Sequence, residues 1–158
     1  MTAAIITPVQ TGADLAAAAQ LFRDYAASLN FSLCFQDFDR ELAELPGAYA
    51  PPRGTILLAR AETVPVGVVA LRPLAPDICE MKRLYLAPES RGGGLGRRLV
   101  LGIIEAGRQR GYRAMRLDTV QSSMAAAIGL YRDLGFREIP AYTHNPQPDV
   151  LYLELPLV

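Results

Sequence analysis

Apolar positions along the chain recur with two different spacings, which predict a mixture of strands and helices. Short apolar or alternating runs bounded by turn residues are typical of strands. These runs predict strands at Ala3–Pro8, Thr55–Arg60, Val64–Arg72, Asp77–Leu86, Ala114–Asp118, Phe136–Ile139 and Val150–Leu155.

Four other segments carry apolar residues at helical spacing. The first follows Thr11-Gly-Ala-Asp14, which has the form of a capping box. A second helix is predicted at Asp37–Leu45, before Pro46-Gly47. A third begins near Leu95, and Ser122 or Ser123 caps a fourth that ends at Gly135.

The predicted element order is β-α-α-β-β-β-α-β-α-β-β. Consecutive strands joined by short turns pair antiparallel, whereas a β-α-β crossover joins parallel strands. The sheet is therefore predicted to be mixed. A length of 158 residues suits one domain, and we predict that residues 1–158 form it.

Composition narrows the classes of function. Sixteen basic residues balance sixteen acidic ones, so net charge gives no reason to expect a nucleic-acid or anionic-membrane partner. The start of the chain lacks a signal-peptide pattern, and its apolar runs are too short for a membrane span. Cys34 and Cys79 have no metal-ligand spacing. We expect a cytoplasmic protein without a metal site.

A glycine-rich loop, Arg91-Gly92-Gly93-Gly94-Leu95-Gly96, lies between a predicted strand and a predicted helix. Glycines let a ligand approach the backbone closely, and the start of a helix presents unpaired N–H groups with partial positive charge. Arg91 adds a fixed cation. The loop therefore predicts a phosphate or pyrophosphate site, although neither the Walker A pattern nor Gly-x-Gly-x-x-Gly is present.

Two motifs resemble those of the GNAT superfamily of N-acetyltransferases. Arg91-x-x-Gly94-x-Gly96 matches the superfamily's Arg/Gln-x-x-Gly-x-Gly/Ala signature, and Ala127-Ile-Gly-Leu-Tyr131-Arg-Asp-Leu-Gly-Phe136 resembles its later helix end. The resemblance implies the α/β (α+β) class, with a mixed, mostly antiparallel central sheet flanked by about four helices. It also implies transfer of an acetyl group from acetyl-CoA to a primary amine of a small molecule or peptide, by direct attack in a ternary complex.

The resemblance also implies roles for individual residues. Tyr131 would return a proton to the CoA thiolate, Glu80 would act as base directly or through water, and the N–H near Leu84 would polarise the acetyl carbonyl. Phe31, Phe35 and Tyr49 are candidates to wall the acceptor side. The residues implied in CoA binding are Leu84, Tyr85, Leu86, Arg91, Gly92, Gly93, Gly94, Leu95, Gly96, Arg97, Ser123 and Tyr131.

Alternatives stay open at several points. Tyr131 also fits a core position, and Glu80 fits a solvated face shared with Lys82 and Leu84 unless a bulge interrupts the strand. Arginines crowd the segment 97–116, where a nucleic-acid surface is the less favoured interpretation. A domain that senses acyl-CoA without turnover is the main functional alternative, and a homodimer is conceivable.

Overall fold

The computed structural model describes residues 3–29, 31–33, 37–122 and 125–158. In this part of the chain the helices are α1 (Gly12–Ser28), α2 (Phe38–Glu44), α3 (Leu95–Gln109) and α4 (Ala125–Asp133). The strands are β1 (Ile5–Pro8), β2 (Thr55–Ala61), β3 (Val64–Ala75), β4 (Ile78–Leu86), β5 (Ala114–Val120), β6 (Arg137–Glu138) and β7 (Val150–Pro156).

The described strands form one seven-stranded sheet in the order β1-β2-β3-β4-β5-β7-β6. Neighbouring strands are antiparallel except β4 and β5, which are parallel. That parallel pairing covers only Ile78–Glu80 of β4 and Ala114–Arg116 of β5. Beyond these residues β4 and β5 no longer pair, and we call the opening between them the V.

Helices cover both faces of the sheet. On one face, α3 buries a stripe that includes Leu99, Val100 and Ile103, and this first core also holds Cys79 and Met81 of β4. On the other face, α1 buries Leu21 and Phe22 in a second core. Full burial of each large apolar side chain contributes roughly 1.5–3 kcal/mol, so both faces supply substantial stability. The two cores fix the positions of the strands that border the V.

The predicted fold class is confirmed, and the predicted elements occur in the predicted order. The capping box is present, because the Thr11 hydroxyl accepts from the Asp14 amide and the Asp14 carboxylate accepts from the Thr11 amide. The main difference in length is β3, which continues to Ala75 rather than Arg72. None of the helices in the described residues is long and apolar enough to cross a membrane.

Candidate active site

The glycine-rich loop has the backbone geometry of an open anion site. Gly92 and Gly94 have φ angles of +84° and +85°, in the left-handed region that favours glycine. Gly94 caps α3, and its carbonyl accepts from the Arg98 amide at 3.1 Å. The N–H groups of the first turn therefore have no acceptor within the helix. A Cβ added at Gly92, Gly93 or Gly94 would meet nothing within 4 Å, so space for a ligand lies beside the loop.

An elongated cleft of about 450 Å³ runs from this loop along the end of β4. We call it the outer cleft; the residues that line it include Tyr25, Leu84, Tyr85, Leu86, Arg91, Gly92, Gly94, Gly96, Arg97 and Ala127. Arg91 is fixed at its rim, because its Nε donates to the Leu86 carbonyl and its guanidinium lies over the Tyr85 ring. The cleft combines an apolar wall with first-turn amides and two arginines, which suits a long ligand with an anionic end.

A smaller cavity of about 60 Å³ lies inside the V and adjoins the outer cleft. We call it the inner cavity. Tyr25, Leu84 and Ala127 line both spaces, so the two meet at Leu84 of β4. The inner cavity is also lined by Phe31, Leu33, Met81, Lys82, Arg83, Leu117, Asp118, Thr119, Val120, Tyr131 and Asn145. This arrangement places the predicted proton donor Tyr131 beside the predicted acetyl site.

A β-bulge in β4 decides which side chains face the V. The pairing with β3 shifts between Val68 and Ala70, opposite Arg83, which has a φ of +63°. As a result Met81 and Leu84, three residues apart, both pack against the first core. Strict alternation would place them on opposite faces. The bulged form of the strand, rather than the regular one, is therefore correct.

Glu80 is buried, with only 1% of its surface exposed. Arg72 donates to Oε1 through Nε at 2.8 Å and through its second terminal nitrogen at 2.7 Å, and the Tyr142 hydroxyl donates to Oε2 at 2.6 Å. Burial opposes ionisation of Glu80, but Lys82, Arg72 and the Tyr142 hydrogen bond outweigh it and lower its pKa. The alternative of a solvated Glu80–Lys82 face is wrong.

A second buried ion pair borders the same region. Arg83 donates twice to Glu41 of α2, with both distances 2.9 Å, and its guanidinium lies over the Phe38 ring. Burial disfavours the charge on Arg83, yet the hydrogen bonds to Glu41 outweigh it and raise the pKa of Arg83. The pair attaches α2 to β4 beside the inner cavity.

Tyr131 lies on α4, 5% exposed, with its ring against Phe136 at a centroid distance of 5.6 Å. The predicted glycine cap positions it, because Gly135 has a positive φ and the Phe136 amide donates to the Tyr131 carbonyl. Burial, and to a lesser degree the nearby Tyr25, raises the pKa of Tyr131. The residue is thus both a core tyrosine and a wall of the inner cavity, and its phenol keeps its proton at neutral pH.

The segment after β6 folds back onto the site. Tyr142 reaches Glu80, and the Asn145 amide donates to Asp118 at 3.0 Å. Asn145 also lines the inner cavity. Phe31 lines it as well, whereas Tyr49 packs edge-on against Phe22 in the second core.

Sequence reasoning assigned no role to Tyr25, Lys82 or Asp118 in the inner cavity. Tyr25 and Asp118 come from separate elements, and no motif connects them. The composition does distinguish Lys82, because it is the single lysine beside fifteen arginines. Ser123 and Phe35 lie outside the described residues.

Comparison with known proteins agrees with this geometry. The model of the acetyltransferase (GNAT) family matches residues 17–136. An uncharacterised N-acetyltransferase of Schizosaccharomyces pombe is 41% identical, with 95% of this chain and 93% of that protein covered. An acetyltransferase structure from Streptococcus agalactiae superposes with a TM-score of 0.77 at 18% identity, covering 99% of both chains.

A Salmonella typhimurium protein whose structure holds acetyl-CoA superposes with a TM-score of 0.72. It is 22% identical, and the match covers 99% of this chain and 95% of that one. The fold, the glycine-rich loop and the family match together define an acyltransferase. The chain belongs to the GNAT acetyltransferase family.

Proposed function

We propose that this protein transfers an acetyl group from acetyl-CoA to a primary amine of a small molecule or peptide. The main observation in support is that the outer cleft and the inner cavity meet at Leu84. A long anionic donor in the first space would place its reactive end at the entrance of the second. We also propose that residues 1–158 form one catalytic domain and that it acts in the cytoplasm.

In this proposal the diphosphate of the donor binds the N–H groups of residues 92–97, with the positive end of α3 behind them. The pantetheine arm lies along Leu84–Leu86, where none of the described strands pairs with β4 on the side of β5. The N–H near Leu84 donates to the thioester carbonyl and stabilises the oxyanion that develops during attack. We also propose that Ser123 contacts the pantetheine arm.

The amine attacks the thioester carbon directly, because both substrates are held in one site and a covalent enzyme intermediate is unnecessary. The tetrahedral intermediate collapses with cleavage of the C–S bond, and Tyr131 donates its phenolic proton to the departing thiolate. The raised pKa of Tyr131 keeps that proton available at neutral pH.

Glu80 is proposed as the base that receives the proton of the amine. Its lowered pKa keeps it ionised at neutral pH, which a base requires, but also makes it a weak one. Because the Tyr142 hydroxyl covers Oε2, the proton would reach Glu80 through that hydroxyl or through water. We therefore expect Glu80 to contribute mainly by holding Arg72 and Tyr142 in place.

The experiment is a thiol-release assay with acetyl-CoA and a panel of primary amines, alongside calorimetric titration with CoA. Catalysis predicts CoA binding and thiol release that depends on a particular amine, with the acetylated amine found by mass spectrometry. Tight CoA binding without release for any amine would instead support the acyl-CoA sensor. Absence of CoA binding by folded protein would contradict both.

A further inference from the structure

The inner cavity contains a cation that has no carboxylate within salt-bridge distance among the residues that the structure describes. Lys82 is the single lysine of the sequence, and it is placed on β4 two residues before Leu84. Its side chain lines the inner cavity and is 7% exposed. Arginine occupies the other fifteen basic positions, so the one compact side-chain ammonium of the sequence lies in this cavity.

The neighbouring cations are already paired. Arg72 is held by Glu80 and Arg83 by Glu41. In the described ranges 3–29, 31–33, 37–122 and 125–158, no carboxylate oxygen lies within 4.0 Å of the Lys82 ammonium, and no hydrogen bond to it occurs. Asp118 acts on it electrostatically across the cavity, but Asp118 itself accepts from Asn145.

An isolated buried ammonium is unfavourable. Burial lowers the pKa of Lys82, while the charges of Glu80 and Asp118 oppose that change. An apolar residue of similar length would fill the space without this desolvation cost. An anionic ligand in the cavity would give the ammonium the partner that the chain does not supply.

The chemistry of the cavity restricts that ligand. In the proposed function the amine of the acceptor reaches the acetyl group at Leu84, and Lys82 lines the same cavity, so an anionic group on the same acceptor would reach Lys82. Asp118, on the opposite wall, favours a positive group and disfavours a second negative one. A volume of about 60 Å³ admits a few waters or a small head group. A carboxylate one carbon away from an ammonium matches this pair of opposite charges.

We propose that the acceptor is an amine of the amino-acid class, and that Lys82 binds its carboxylate inside the inner cavity while its amino group lies towards Asp118 and Leu84. This inference rests on the proposed acetyltransferase activity and specifies its acceptor. Lys82 then determines specificity and takes no part in the transfer of the acetyl group.

The first test uses matched acceptors with one side chain in three forms: the free amino acid, its primary amide and the decarboxylated amine. Loss of a hydrogen-bonded charge pair in a buried site predicts a kcat/KM for the free acid that is about 10–100-fold above the other two. Equal rates for the three forms, or a preference for the amide or for longer peptides, would overturn the inference.

The second test changes the lysine. Lys82→Met should remove the preference for the free acid, because kcat/KM for the acid falls about 10–100-fold further than kcat/KM for the amide, while the KM for acetyl-CoA stays as in the parent. Lys82→Arg should retain part of the preference because it keeps the charge. Arg23→Met, which removes an exposed cation on α1, is the matched control and should retain all of it. A Lys82→Met enzyme that still prefers the acid would contradict the inference.

A third measurement does not depend on turnover or on any variant. Protein labelled with nitrogen-15 lysine has one side-chain ammonium to observe, since the sequence has one lysine. The free amino acid, added with CoA, should shift this signal saturably, and the amide should not. A saturable shift without thiol release would support the carboxylate site while contradicting acetyl transfer to it. Thiol release with no shift would support the transferase and overturn the site.

Mass spectrometry of the intact protein after incubation with acetyl-CoA completes the test. The inference predicts no acetyl group on Lys82, because the ammonium is a binding group. Acetylation of Lys82 at the rate of thiol release would overturn the inference, since the side chain would then be an acceptor itself.

Discussion

The outer cleft and the inner cavity take their polar groups from different parts of the chain. The outer cleft takes its polar groups chiefly from the backbone of residues 91–94 and of the first turn of α3, and residues 91–94 are exposed to solvent. The inner cavity takes its polar groups from side chains of separate elements, and Lys82, Arg83 and Thr119 among them are buried. One region needs glycine and a helix start, whereas the other needs side chains that several elements hold in defined positions.

We expect the outer cleft to hold the donor and the inner cavity to select the acceptor. Backbone amides bind a diphosphate whatever the neighbouring side chains are, so a loop of this kind suits a common donor. Buried side chains select a ligand by charge and shape, and a polar group left without a partner there is costly. We therefore expect donor binding and acceptor choice to respond independently to substitution.

The largest effect is expected from Gly94→Glu in the outer cleft. Any side chain at a φ of +85° is strained, and glutamate would also put a carboxylate where the diphosphate is proposed to bind. CoA binding, measured by calorimetry, should be abolished. Gly111→Glu is a close control, because Gly111 has a φ of +83° and open space around it but caps the far end of α3. If both variants bind CoA equally, the loop is not the diphosphate site.

Glu41→Gln should show the cost of a broken pair beside the inner cavity. It deprives Arg83, which is 2% exposed, of its bidentate carboxylate. We expect a loss of about 3 kcal/mol in the free energy of unfolding, the lower end of the range for buried pairs because Glu41 is 13% exposed. Denaturant titration measures it. Glu44→Gln breaks the exposed pair with Arg40 on the same helix and should leave the free energy of unfolding unchanged. Similar losses for both variants would contradict the distinction between buried and exposed pairs.

Tyr131→Phe tests the junction of the two regions. Loss of the proton donor should lower kcat by about 10²-fold, equal to about 2.7 kcal/mol, with the KM for acetyl-CoA nearly unchanged. Tyr112→Phe is the control, since its hydroxyl donates to the Arg53 carbonyl away from both spaces. An unchanged kcat at saturating substrates would remove Tyr131 as the acid.

The smallest effect at neutral pH is expected from Tyr25→Phe, which alters a residue that both spaces share. Burial raises the pKa of Tyr25 to about 12 from an ordinary value near 10. The protonated phenol therefore makes its full contribution to the free energy of unfolding below pH 10. That contribution falls by about 1.4 kcal/mol per pH unit as the pH rises towards 12. Unfolding curves between pH 8 and 12 should fall less steeply for the variant. Parallel curves would contradict the burial of this phenol.

The sequence predicted the outer cleft far better than the inner cavity. Its loop is contiguous, and the positive φ angles at Gly92 and Gly94 follow from residue type. The helical stripe of α3 and the cap at Gly135 were also local patterns, and both are confirmed.

The inner cavity depends on long-range geometry that no local pattern encodes. The bulge at Arg83 requires a positive φ in a residue that seldom adopts one, and it determines where Leu84 points. The contact of Tyr142 with Glu80 joins positions 62 residues apart. The solitary lysine was visible in the composition, but only its burial in the V made that observation meaningful.

The brevity of the contact between β4 and β5 has a mechanical consequence. Three residues of each strand pair, and past them no strand among the described residues lies against the backbone edges of the V. A pantetheine arm lying there would act as a temporary extra strand, so the donor would complete the sheet as well as supply the acyl group. Amide hydrogens at residues 81–86 should then exchange with solvent more slowly when CoA is bound, and the two halves of the sheet should resist separation.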